Sequence, residues 1–302
     1  ELPRLASEGL AVPLDDLFPQ TFWDGLFPFA LESVSVGERK MAMPLHADIL
    51  YLVYNNTMVS TPPLTWDTLR VSKSTLLLPA TQGDGSAAHV FCAQYMARGG
   101  SLKGPDGSYL DVNIAADVLR DYRSASDAGV LLASARDLAT LEECWSIYLK
   151  GEAGMAIVDS YHDMRDRGKL QRTRYAQMPT ADGHPGTVAH AWGWAIVTQD
   201  PVRQSIAADY IAAAMRQEWI VSWSQASHHL PAHSAALAAV REDRDYRIFL
   251  EEQLQYALAY PSVSQYAPMQ EIITEAIGDV LDGVATPDRA AASAAAMIAR
   301  LR

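Results

Sequence analysis

The sequence predicts an α/β protein with helices in excess, divided between two lobes. Three observations predict it. Segments of helical and strand pattern alternate along the chain, and the run Ile49-Leu50-Tyr51-Leu52-Val53-Tyr54 is apolar without a break. Apolar side chains on both faces mark a strand inside a helix-covered sheet. Third, 302 residues with 49 % hydrophobic content are enough for a chain to split its core in two.

Taken in order, Leu2, Leu5, Ala6 and Leu10 lie at helical spacing, and Pro13-Leu14-Asp15-Asp16 reads as a turn into a second short helix. Gly37-Glu38-Arg39-Lys40 is a polar break ahead of the apolar strand, which ends at Asn55-Asn56. Thr61-Pro62-Pro63 is a rigid link, and Thr65 is placed to cap a helix through Trp66 and Leu69. Leu76-Leu77-Leu78 is a short buried strand stopped by Pro79, and a glycine-bearing loop over 81–86 leads to a helix over 87–97. A hairpin or loop follows over 103–111, then helices over 115–128 and 138–149. Strands are expected over 153–159 and 191–198, and helical stretches over 202–223, 235–240 and 245–256. Two helices close the chain, over 269–281 and 287–301, and the alanine content of the last requires a close packing partner.

With 24 Lys plus Arg against 36 Asp plus Glu, the formal charge is −12. Such a surface repels phosphate backbones and anionic headgroups, so nucleic acid and membrane surfaces are excluded as partners. Cys92 and Cys144 are too few for a disulfide framework and lack zinc-site grouping. They read as two buried thiols, with a single bridge as the alternative. No apolar stretch is long enough to span a bilayer. The opening at Glu1, without methionine and within a helical pattern, reads as a start inside a longer precursor.

Six segments, in order, resemble the extracellular solute-binding proteins of ABC sugar importers, the maltodextrin-binding type among them. They are the stretch from Gly37 to Asn55, Pro62-Pro63-Leu64-Thr65-Trp66-Asp67-Thr68-Leu69, Leu149 to Ile157, Trp192-Gly193-Trp194-Ala195-Ile196, Leu230-Pro231-Ala232, and Leu281-Asp282-Gly283 with Thr286-Pro287. The resemblance implies a two-lobed periplasmic-binding-protein (Venus-flytrap) fold, with hinge-linked sheets flanked by helices and an interlobe cleft. It implies a first lobe from 1–45 and 196–248 and a second from 46–195 and 249–302. The family's opening βαβ portion has no counterpart, which leaves the first lobe incomplete at its N-terminus and its sheet edges exposed. The implied function is capture of a sugar and delivery to ABC permease subunits. The implied protein is a monomer on the periplasmic or outer face of the membrane, lipid-anchored in its precursor, with no enzymatic activity and no cofactor.

Sugar recognition needs aromatic rings for flat apolar sugar faces and a few polar groups for hydroxyls. His46 and Asp48 follow Pro44 at the first hinge crossing that the resemblance implies; Asp48 would accept hydroxyl bonds. Gln82 and Asp84, with Thr81, lie in a loop after a strand, where open α/β sheets place their crevice. The same residues also suit ordinary turn chemistry. Tyr161 and Trp192 match positions where the family carries stacking aromatics. Trp194, two residues beyond Trp192, shares its face, and Tyr260 and Tyr266 flank a third crossing. Trp66, the pair Trp145 and Tyr148, and the i,i+4 pair Trp219 and Trp223 read as core.

Two other classes compete. A glycoside hydrolase would use Asp48 and Asp84 as its carboxylate pair, within roughly 5–10 Å across a sugar. A receptor for polyamines, metals or peptides would use the same acidic residues to hold a cation. His228, His229 and His233 lie close enough for a metal, but Pro231 breaks helical geometry between them, and no metal site is expected. No Gly-x-Ser-x-Gly elbow, phosphate loop or His-Glu-x-x-His occurs.

Overall fold

The computed structural model describes residues 2–104, 107–240, 242–260 and 265–301. Helices α1 (Leu2–Ser7) and α2 (Pro28–Val34) precede an antiparallel ribbon, β1 (Ser35–Val36) with β2 (Arg39–Lys40). The long strand β3 (Met43–Asn55) follows, buried along most of its length as its apolar run requires. Then come α3 (Trp66–Val71), β4 (Leu76–Leu77), α4 (Ser86–Ala97), the ribbon β5 (Lys103–Gly104) with β6 (Gly107–Ser108), and α5 (Val112–Asp127). Next are α6 (Leu141–Leu149), β7 (Met155–Asp159), α7 (Ser160–Asp166), β8 (Thr173–Ala176) and β9 (Val188–Trp194). Helices α8 (Pro201–Ala214) and α9 (Gln217–Ser227), β10 (Leu230–Pro231), α10 (Ser234–Ala239), α11 (Arg244–Tyr256), β11 (Leu258–Ala259), α12 (Tyr266–Leu281) and α13 (Pro287–Ile298) complete the chain.

Two units emerge: Glu1–Ile49 with Ala189–Ser264, and Leu50–Val188 with Gln265–Arg302. The chain passes from one to the other at 49/50, 188/189 and 264/265, where the sequence reading places the passages after 45, 195 and 248. Pairing explains each offset. Residues 189–194 of β9 lie in register with 43–49 of β3, and α11 and β11 pack on α2, so all of these stay in the first unit.

In the second unit the later half of β3 pairs antiparallel with β7 and β8, and β4 runs parallel to β7. Trp66, Trp145, Tyr51, Tyr95 and Tyr122 are fully buried there. Thr65 caps α3 through a reciprocal box: its hydroxyl accepts from Thr68 N, and Thr68 Oγ1 accepts from Thr65 N, both at 3.1 Å. The alanine-rich α13 buries Ala290, Ala291 and Ala294 and packs on α5 and α12, the close partner its composition requires. Cys92 and Cys144 are free, buried thiols, and burial pushes both up to about 12.

In the first unit the early half of β3 pairs antiparallel with β9 and β10. Pro44 has no N–H for the ladder, and the register shifts between Pro44 and His46. Opposite Pro44, a Cβ on Gly193 would meet Met43 O at 2.3 Å, so only glycine permits this backbone approach. The helical pattern over 202–223 resolves into α8 and α9, because Arg216 between them takes extended backbone, φ −65° and ψ 136°. Trp219 and Trp223, expected in the core, are instead 57 % and 54 % exposed. Their i,i+4 spacing marks one helical face but not what that face meets.

Candidate functional site

A shelf of aromatic rings and imidazoles lies on the first unit. It is built by strand alternation: His190, Trp192 and Trp194 fall on one face of β9, and across the ladder His190 pairs with Asp48 and Trp192 with His46. Trp192 is 48 % exposed, which is unusual for an indole on a paired strand. The His190 ring stacks on Tyr260 at 3.7 Å between centroids and on Trp192 at 5.8 Å. Tyr260 is held beside β9 by its N–H, which donates to Ala189 O at 2.9 Å.

The opposite end is set by the turn after α9. His228 takes left-handed backbone, φ 61°, and ends the helix, so the chain reverses into β10 beside β3. That reversal brings His229 edge-on to Trp192, at 5.2 Å and 80°, and roughly parallel to His46 at 6.1 Å. His46 also lies 6.0 Å from the Trp223 ring. Only 7 % of His46 is exposed, and its Nε2 is buried without a hydrogen-bond partner. Burial, with the neighbouring His229 second, lowers its pKa to about 4, so the ring is neutral at neutral pH.

The shelf thus offers an exposed indole for stacking, with the Tyr260 phenol, the His190 imidazole and the Asp48 carboxylate, an acceptor, beside it. Of the residues expected from sequence, His46, Asp48, Trp192 and Tyr260 meet here. Trp194 shares the strand face but turns to Tyr210, edge-on at 5.6 Å, and lines a separate apolar cavity. His190, His229 and Trp223 join the shelf without having been expected. The period-two spacing of His190 from Trp192 marks it in sequence, whereas His229 and Trp223 arrive only through the reversal at His228.

The remaining candidates belong to the second unit. Asp84 Oδ1 accepts from Ser86 N at 2.9 Å, turning the chain into α4, and Gln82 donates to Glu271 O at 2.8 Å. Tyr266 places its hydroxyl 3.6 Å from Cys92 Sγ. Tyr161 carries the Arg165 guanidinium over its ring at 5.5 Å and meets the edge of His162. Around it runs an ionic network: His162 Nε2 lies 2.7 Å from Glu142, His162 Nδ1 bonds Asp159, and Arg165 bridges Glu142 and Asp166 at 2.9 Å. Asp163 is buried between the Tyr51 hydroxyl, at 2.7 Å, and Arg167. Each of these charges is paired, as burial requires.

The family of bacterial extracellular solute-binding proteins matches residues 1–246. The fold is similar to that of the cyclic α-maltosyl-1,6-maltose binding protein of Arthrobacter globiformis, at TM-score 0.82 and 21 % identity over 98 % of this chain and 81 % of that one. It is also similar to the GacH receptor of Streptomyces glaucescens, solved unliganded and with acarbose, at TM-score 0.78 and 16 % identity, covering 100 % of this chain and 82 % of that one. An ABC transporter solute-binding protein of Thermotoga lettingae, bound with α-D-tagatose, matches at TM-score 0.76 and 18 % identity over 98 % of this chain and 81 % of that one. These likenesses establish the α/β fold of two-lobed periplasmic binding proteins, and the family match gives the chain its class. It belongs to the bacterial extracellular solute-binding proteins.

Proposed function

We infer that the solute is a neutral sugar or sugar-derived molecule, captured without turnover and passed to the permease subunits of an ABC importer. The observation that carries this reading is the exposed Trp192 indole, flanked by the His190–Tyr260 stack and by Asp48. A pyranose ring presents one apolar face to such an indole and a rim of hydroxyls to the polar groups beside it. The comparable proteins named above bind maltosyl sugars, acarbose and tagatose, which supports the same chemistry here. In this reading His46 positions Trp192 from across the ladder. Gln82, Asp84, Tyr161, Trp194 and Tyr266 stand as secondary candidates for ligand contact. The protein works as a monomer outside the cytoplasmic membrane, lipid-anchored in its precursor.

Calorimetric titration with maltose, maltotriose, acarbose and tagatose, beside spermidine and divalent metals, tests this. Saturable heat with at least one sugar, with the sugar recovered intact, is the expected result. Heat from spermidine or a metal alone would transfer the site to the cation-receptor class, and sugar fragments would make it a hydrolase.

A further inference from the structure

The shelf lies on the first unit and leaves the charged cluster around Tyr161, on the second, without a task. His162, only 8 % exposed, sits at the centre of that cluster. Its Nδ1 bonds the Asp159 carboxylate at the end of β7, and its Nε2 lies 2.7 Å from Glu142 of α6. A neutral imidazole has one N–H and one lone pair, and a lone pair makes no bond to a carboxylate. With a carboxylate at each nitrogen, both nitrogens must carry hydrogen, so this arrangement fits the imidazolium alone. Burial opposes that charge and so does Arg165, but the bond to Asp159 and the charges of Asp159 and Glu142 outweigh them, and His162 titrates above its ordinary value.

The proton has a path to Tyr161. Glu142 Oε2 is shared, facing His162 Nε2 at 2.7 Å and accepting from Arg165 Nη1 at 2.9 Å. Arg165 Nη2 donates to Asp166 at 2.9 Å, and Asp166 also accepts from the buried Trp145 Nε1 at 3.0 Å, which fixes that end in the core. Spread between these two carboxylates, the guanidinium lies over the Tyr161 ring, 5.5 Å from its centroid. The His162 and Tyr161 rings meet edge to face at 5.4 Å and 81°. Asp163 stands apart, taken by the Tyr51 hydroxyl at 2.7 Å and by Arg167. Tyr161 is thus held by His162 and by Arg165, and Glu142 ties these two together. The Glu142 side chain is 52 % exposed, so it can leave for water once the imidazole turns a lone pair towards it.

We propose that His162 is a positioning residue for Tyr161, and that its proton holds the Tyr161 ring in the orientation that receives solute. Loss of the proton releases Glu142, loosens Arg165 and frees the ring, so affinity declines as pH rises. The effect on binding rests on the sugar reading; the effect on the Tyr161 ring does not. A side chain that must be ordered during binding costs about two- to tenfold in affinity, and that is the decline expected.

The test has two arms, each run from about pH 5.5 to about pH 9 so as to span a raised histidine. In the first, NMR of the ligand-free protein with carbon-labelled His and Tyr rings follows His162 and Tyr161, assigned through His162→Gln and Tyr161→Phe. Both signals are expected to move with one midpoint above about 6.5, and Tyr161 to stay level in His162→Gln. Glu142→Gln, at an exposed position, removes a charge that favours the imidazolium and is expected to bring the midpoint down, which a packing role for His162 would not do. In the second arm, calorimetry with the best-binding sugar compares the parent with His162→Gln, so that the shelf histidines contribute to both. The ratio of the two affinities is expected to fall two- to tenfold through the midpoint seen by NMR. Should His162→Gln fail to fold, Glu142→Gln carries the same comparison, with its midpoint displaced in both arms. The proposal is overturned if Tyr161 does not follow His162, if Glu142→Gln leaves the midpoint in place, or if the affinity ratio is flat. If no sugar binds at any pH, the sugar reading fails, and the ligand-free arm alone decides the role of His162.

Discussion

Trp192 and His46 face each other across the β3–β9 ladder and divide the work of recognition between exposure and burial. Because Trp192 is half in water, removing its ring takes away a stacking surface and little packing. Trp192→Ala is therefore expected to weaken sugar binding by about two- to tenfold, the 0.5–1.5 kcal/mol of a stacked ring pair, with no change in melting temperature. Calorimetry beside a thermal melt separates the two. His46 contributes instead to the acid response. Its ring titrates near 6.5 when unfolded and near 4 when folded, held down first by burial and then by His229. As pH falls from about 6.5 to about 4, the unfolded chain takes a proton that the folded chain refuses, and stability drops by about 1.4 kcal/mol per pH unit. Above that window His46 is silent. His162 has the opposite sign. Burial opposes its charge, but the hydrogen bond to Asp159 and the charges of Asp159 and Glu142 outweigh it and raise its pKa. Its contribution is complete below about 6.5 and is lost as pH rises through the raised folded value. Urea unfolding across pH should show His46→Gln flattening the acid limb; an unaltered limb would remove His46 from this role.

At the scale of elements, the box at Thr65 predicts that Thr65→Ala costs about 1 kcal/mol of stability while Thr65→Ser costs little, measurable as a shift in urea midpoint at constant slope. This helix start was legible because capping is local: Thr65 and Thr68 are three residues apart. The apolar half of β3 was legible for the same reason, from its unbroken run, but its first half was not. Pro44, His46 and Asp48 do not look like strand interior, and only pairing with β9 makes them so. The break between α8 and α9 carries no glycine or proline and was invisible in the pattern. The shelf divides along the same line. Trp192, His46 and Asp48 are candidates through segment resemblance, and the period-two spacing of His190 from Trp192 is visible in the sequence. His229 and Trp223 depend on a left-handed turn at His228 and on strand register, which no local window contains. The i,i+4 spacing of Trp219 and Trp223 marks a helical face and suggests core, yet both are exposed, since periodicity fixes a face and not its neighbour.

For the whole molecule, the formal charge of −12 disfavours anionic partners and leaves a neutral ligand nearly untouched. Sugar affinity should therefore stay level as salt is raised from low to physiological strength and beyond, because a neutral solute loses no Coulomb attraction to screening. A steep decline with salt, followed calorimetrically, would indicate a cationic ligand instead. The central claim is that the Trp192 shelf is a floor on which a sugar ring lies. A crystal structure with the best-binding sugar from the titration tests it most directly. The account predicts a pyranose face packed on the Trp192 indole at van der Waals distance, with hydroxyls bonded to Asp48 or to the His190–Tyr260 pair. A sugar bound elsewhere, with Trp192 open to solvent as before, would contradict it.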